Sequence, residues 1–150
     1  MNRAIRQAFP ETCYHPDERL LTWCPQGHFD DRLADRIMAF IELEERIKGE
    51  PFHRYTDLSG LTEIHLKVGH AFKIAERRRA DFTGGQSVKS ALYCDRVIGF
   101  GIARLYEALM EGGPFDVQAF RTREAAAEWL EVPVGILHSD VGDPPQSAEY

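Results

Sequence analysis

No apolar run in the 150 residues approaches the roughly 20 needed to cross a bilayer. The first ten residues carry Arg3 and Arg6 without an apolar stretch, which argues against a secretory signal. Cysteine is scarce. Cys13, Cys24 and Cys94 lie far apart and form no Cys-x-x-Cys pair. An odd, sparse set argues against a disulfide framework and fits reduced thiols in a cytoplasmic protein. Each thiol sits in an apolar, strand-like context, where cysteine acts as a small hydrophobe. Positive charge is also short, with 18 Lys and Arg against 24 Asp and Glu, a net charge of −6. That balance argues against nucleic-acid binding and against docking on anionic membranes.

The motifs of common catalytic sites are missing as well. There is no Gly-x-Ser-x-Gly elbow. Gly84-Gly85-Gln86-Ser87-Val88-Lys89-Ser90 fails as a phosphate loop because its lysine falls inside a strand pattern. Ile98-Gly99-Phe100-Gly101 lies within a helix pattern rather than a strand-to-helix turn, so it is no dinucleotide fingerprint. Six histidines raise the question of a metal, but His65 and His70 are five apart and diverge on a helix. His28 and Asp30 share a face only on an extended segment, with two further ligands unaccounted for. Cys94, at a strand end before a helix, is the best-placed thiolate, although a buried structural cysteine is the commoner meaning. No cofactor, no metal and no catalytic residue is expected.

What is present is ordinary for one globular domain: 43% hydrophobic and 28% charged residues. A polar arm (Met1–Glu11) precedes a hairpin of Thr12-Cys13-Tyr14 and Arg19–Cys24, joined by His15-Pro16-Asp17-Glu18. Asp30 or Asp31 caps a helix over about 32–48, with Leu33, Ile37, Phe40, Ile41 and Ile47 inside and Glu42 and Glu45 outside. His53–Leu58 reads as a strand. A helix over about 66–82 turns Val68, Phe72, Ala75 and Phe82 inward and Lys73, Arg77 and Arg78 outward, and Gly84-Gly85 ends it. Val88–Cys94 is a strand, after which Asp95 caps a helix to about Met110 with Ile98, Ile102, Leu105 and Leu109 as its stripe. Gly99 and Gly101 lower helix propensity, which suggests close backbone packing there. The strand Phe115–Phe120 and an alanine-rich helix capped by Thr122 complete residues 12–132, and a loose tail follows from 133. Strands alternating with helices predict an α/β fold, a mixed, mostly parallel sheet of about five strands with about four helices.

The element order and Asp57-Leu58-Ser59-Gly60-Leu61-Thr62-Glu63-Ile64 resemble STAS domains, the anti-sigma-factor-antagonist family, and more narrowly a SpoIIAA-like group of bacterial proteins. His15-Pro16-Asp17, Arg54-Tyr55-Thr56, Ala75-Glu76-Arg77-Arg78-Arg79 and Ala125-Ala126-Ala127-Glu128-Trp129-Leu130 support it over about residues 12–132. In the family's phosphoswitch members a phosphorylated serine follows at the start of the next helix. Here His65-Leu66-Lys67-Val68 stands in its place and offers no hydroxyl. The resemblance therefore implies a STAS/SpoIIAA-like fold and a non-enzymatic protein-interaction role without the phosphorylation step. The partner is a protein of unknown identity or a second copy of the chain. The expected contact surface is Asp57, Ser59, His65, Lys67 and His70. The Arg77-Arg78-Arg79 run has two readings, a contact for an acidic partner and a solvated basic helix end. STAS folds also resemble lipid-binding Sec14-like domains, which gives the alternative of a small apolar-ligand carrier. Phe72, Tyr93, Phe100 and Tyr106 would line its pocket, with Phe82 and Trp129 as further candidates.

Overall fold

The computed structural model describes residues 11–81, 88–113 and 115–138. The arm before Glu11, the expected helix end at Phe82 with Gly84-Gly85, Pro114 and the tail from residue 139 lie outside the described residues. The elements run β1 (Thr12–His15), β2 (Leu20–Trp23), β3 (Gly27–Asp30), α1 (Asp31–Lys48), β4 (His53–Asp57), β5 (Leu61–His65), α2 (Val68–Asp81), β6 (Val88–Tyr93), α3 (Val97–Leu109), β7 (Phe115–Phe120) and α4 (Arg123–Leu130). A 3-10 turn, Val134–Leu137, follows. The fold is the expected α/β arrangement. Five strands form one sheet in the order β1-β2-β4-β6-β7, with β1 antiparallel to β2 and the rest parallel. Strands β3 and β5 make a separate parallel pair that the sequence reading lacked.

Local chemistry sets the helix ends. The Asp30 carboxylate accepts the Leu33 amide at 2.9 Å and starts α1, while Gly49 ends it at φ 74°, a value that suits a residue without Cβ. Thr122 accepts the Ala125 amide at 3.1 Å at the head of α4. Asp95 does not cap α3 as expected. Arg96 holds that position and makes no side-chain cap bond.

Alternation along the strands splits the core into two layers. One face carries Leu20, Tyr55, Ala91, Tyr93 and Phe120 against Ala126, Ala127 and Leu130 of α4. Leu137 joins this cluster, so residues 134–137, expected to be loose, are packed by their own apolar side chains. The other face carries Leu21, Trp23, Val88 and Val117 beneath α1, α2 and α3.

Helix α2 is rotated from its expected setting by less than one residue step, roughly 70°, with Ala75 inside in both. Ala71, Ile74, Ala75 and Arg78 are buried, whereas Val68 and Phe72 are exposed. The cause is ionic. Arg78 turns inward to Glu45 (3.1 Å) and Glu42 (3.6 Å) of α1, and Arg77 binds Glu42 at 2.5 Å. Glu42 and Glu45, expected outside, therefore face α2. Ile47 is exposed, and buried Glu44 pairs with Lys48 at 3.1 Å. The acidic partner of Arg77 and Arg78 is α1 of the same chain.

Candidate functional site

Strand β4 ends in Asp57, and the turn behind it is closed by its own side chains. Asp57 Oδ1 accepts the Ser59 amide at 2.9 Å and the Ser59 hydroxyl at 2.5 Å. Oδ2 accepts Arg123 Nη2 at 2.9 Å and Nε at 3.3 Å, tying the turn to the first residue of α4. Four donors thus meet the lone pairs of one buried carboxylate, which leaves it little capacity as a general base. Burial disfavours the Arg123 charge, but the hydrogen bond and the charge of Asp57 outweigh it and raise its pKa. Burial, reinforced by Asp57, pushes the Tyr55 hydroxyl well above its usual range, with Arg123 opposing. Arg96 holds the far side of the turn by donating to the Ser59 and Leu61 carbonyls.

Asp57 is thus held inside the fold by its own chain. It is 1% exposed and fully engaged within the fold. Ser59 is half-buried and donates to it. His65 and Lys67 are exposed. The Lys67 amide donates to Asp31 at 3.0 Å, and His70 Nε2 donates to Asp35 at 2.7 Å, so the start of α2 is fastened to the start of α1. His65, Lys67 and His70 follow one another along β5, the connection and the start of α2.

Beside that connection runs a groove of about 670 Å³ between β5 and the start of α3. Its walls include Leu61, Ile64 and His65 on one side and Arg96, Val97 and Ile98 on the other. Val97 and Ile98 are 77% and 76% exposed, and Val68 and Phe72 of α2 are 57% and 53% exposed. Burying a side chain of this size gains about 1.5–3 kcal/mol, so Val97 and Ile98 leave unsatisfied apolar surface in the groove wall. Ile98 had been expected on the inner stripe of α3. Gly99 and Ala103 occupy that face instead, and Cys94 is buried there against Gly99.

The expected ligand-pocket residues do not converge. A cavity of about 120 Å³ lies between the sheet and α1, α2 and α3, and Tyr106 lines it together with Arg54, Ser90 and Trp23. Phe72 points to solvent, Tyr93 lies on the opposite face of the sheet, and Phe100 packs with Leu58 and Cys94. Trp129 packs against the α4-side cluster. Arg54 enters the cavity wall with an unusual load. Burial and nearby Arg78 push it down to about 10, although Glu45 binds it at 2.5 Å.

No protein-family model, curated protein or solved structure matches the chain.

Sequence reading missed Arg123, Arg96, Val97, Ile98 and the pairing of β3 with β5. β-branched Thr62 and Ile64 in Leu61-Thr62-Glu63-Ile64-His65 are the local feature that suits a strand there.

Proposed function

We propose that this chain is a non-enzymatic, STAS-like interaction module that docks a protein partner or a second copy of itself at the groove between β5 and α3. The observation that carries the reading is the exposed apolar pair Val97 and Ile98 in the wall of that groove. The pair follows the carboxyl end of parallel strand β6, where open α/β sheets place their binding crevices. His65 and Lys67 form the polar rim that such surfaces carry. The role of Asp57 and Ser59 is to set the angle of the turn that presents the groove.

The test combines sedimentation velocity with affinity capture, using wild type and the Val97→Asp/Ile98→Asp variant. The expected result is a self-associated species, or a reproducible set of captured proteins, that disappears in the variant and weakens in His65→Ala/Lys67→Ala. A monomer that captures the same proteins before and after the changes counts against the surface.

The 120 Å³ cavity favours a second reading, a small-ligand carrier. Its size decides the ranking, because drug-sized ligands occupy pockets of about 300–1,000 Å³. Native mass spectrometry of freshly purified protein separates the two readings. A retained apolar ligand supports the carrier.

A further inference from the structure

The parallel pairing of β3 with β5 sets His28 opposite Glu63 and places His65 two residues further along the same strand. All three side chains therefore project from one side of the pair. His28 Nδ1 and His65 Nε2 each lie 3.1 Å from the same oxygen, Glu63 Oε2. The imidazole rings stack with centroids 4.6 Å apart. All three residues are exposed, and the three donor atoms lie within 4.8 Å of one another.

Exposed ion pairs contribute little, about 0–1 kcal/mol, so stability gives weak reason for two histidines to converge on one carboxylate oxygen. Metal ligation gives a stronger one. A tetrahedral zinc ion bound at about 2.0–2.1 Å separates its ligand atoms by about 3.3 Å. Two of the three edges already have nearly that length. The donors also differ chemically from an all-oxygen set: two imidazoles and one carboxylate suit borderline transition ions rather than magnesium or calcium.

We propose that His28, Glu63 and His65 form a surface site for a divalent transition cation of the zinc class. Three protein ligands leave a fourth position, taken by water when the chain is alone. Glu63 and His65 also line the groove beside α3. A donor from a docked partner can take that fourth position, and this second statement rests on the interaction reading above.

The test is calorimetric titration of the full chain with Zn²⁺ alone, before any partner is added. Its failure is thus distinguishable from failure of the docking surface. One Zn²⁺ per chain is expected. Glu63→Gln and His65→Ala should each weaken it by more than about tenfold, because each removes one of the three ligands. His70→Ala and Cys13→Ser should leave it unchanged. All of these positions lie at or near the surface, and circular dichroism verifies that the variants fold. Absence of a saturable event in wild type, or equal affinity in a His28→Ala/His65→Ala variant, overturns the site.

Discussion

The two faces of the central sheet bury charge in opposite ways. On the α4 face one carboxylate meets one guanidinium: Asp57 takes two bonds from Arg123 and two from Ser59, and nothing on its oxygens is left over. On the other face two buried guanidiniums, Arg54 and Arg78, share Glu45, and both stand over the Phe115 ring at 4.9 Å. The Nε atoms of both arginines are buried without a hydrogen-bond partner. The first arrangement is a closed lock between a strand end and a helix start. The second crowds two buried cations onto Glu45, with Glu42 reaching only Arg78 of the two, and burial together with nearby Arg78 lowers the Arg54 pKa to about 10.

That contrast predicts unequal costs. Arg123→Ala leaves Asp57 buried without its cation and should lose roughly 3–5 kcal/mol of stability in urea denaturation. Arg54→Met removes one of two competing cations while Arg78 still serves Glu45, so it should cost less than about 1.5 kcal/mol. Equal losses for the two would abolish the distinction between lock and crowded cluster.

A smaller effect sharpens the packing on the α3 side. A Cβ on Gly99 would sit 2.3 Å from Cys94 Sγ, whereas one on Gly101 meets nothing within 4 Å. Gly99→Ala should therefore destabilise by about 1–3 kcal/mol through overpacking. Gly101→Ala should stabilise by about 0.5–1 kcal/mol through helix propensity. Thermal melts of the two variants shifting in the same direction would contradict this reading. It also corrects the expectation that both glycines serve close packing, since only Gly99 does.

The smallest effect belongs to His53 on the α4 face. Its Nδ1 accepts the Lys89 amide at 3.0 Å. Burial first, then Arg19, Lys89 and Arg54, lower its pKa from 6.5. As pH falls below about 6.5 the unfolded chain takes up this proton before the folded one does, so stability present above that value is lost as pH drops through the folded pKa. His53→Gln should flatten the wild-type stability profile in that window. A difference between the two proteins that does not change with pH would show that His53 takes up its proton equally in the folded and the unfolded chain.

Much of the scaffold was legible because it depends on short-range rules. Alternating apolar residues, Asp30 and Thr122 as caps, and Gly49 as a stop suffice for α1, α4 and the alternation of strands with helices that makes an α/β sheet. The setting of α2 was not legible, because apolar spacing alone favours Val68 and Phe72 inside. What overrides it is a pair of carboxylates on α1, a contact about 33 residues away for Arg78 and Glu45. The convergence of His28 with His65 was hidden for the same reason. Spacing within one segment showed two histidines on divergent helix positions, but His65 lies on a strand whose partner comes from another part of the chain.

Burial of Cys94 against Gly99 gives the molecule an internal reporter. Cys94 is 1% exposed and packs against the first turn of α3, which hinders oxidation or alkylation while that turn is seated. Modification therefore has to wait for that turn to lift, and its rate measures the fraction of time spent open rather than the intrinsic reactivity of the thiol. Exposed Cys13 supplies the unhindered rate in the same chain. Anything that fills the neighbouring groove and holds α3 down will slow the clock at Cys94 and leave the one at Cys13 running.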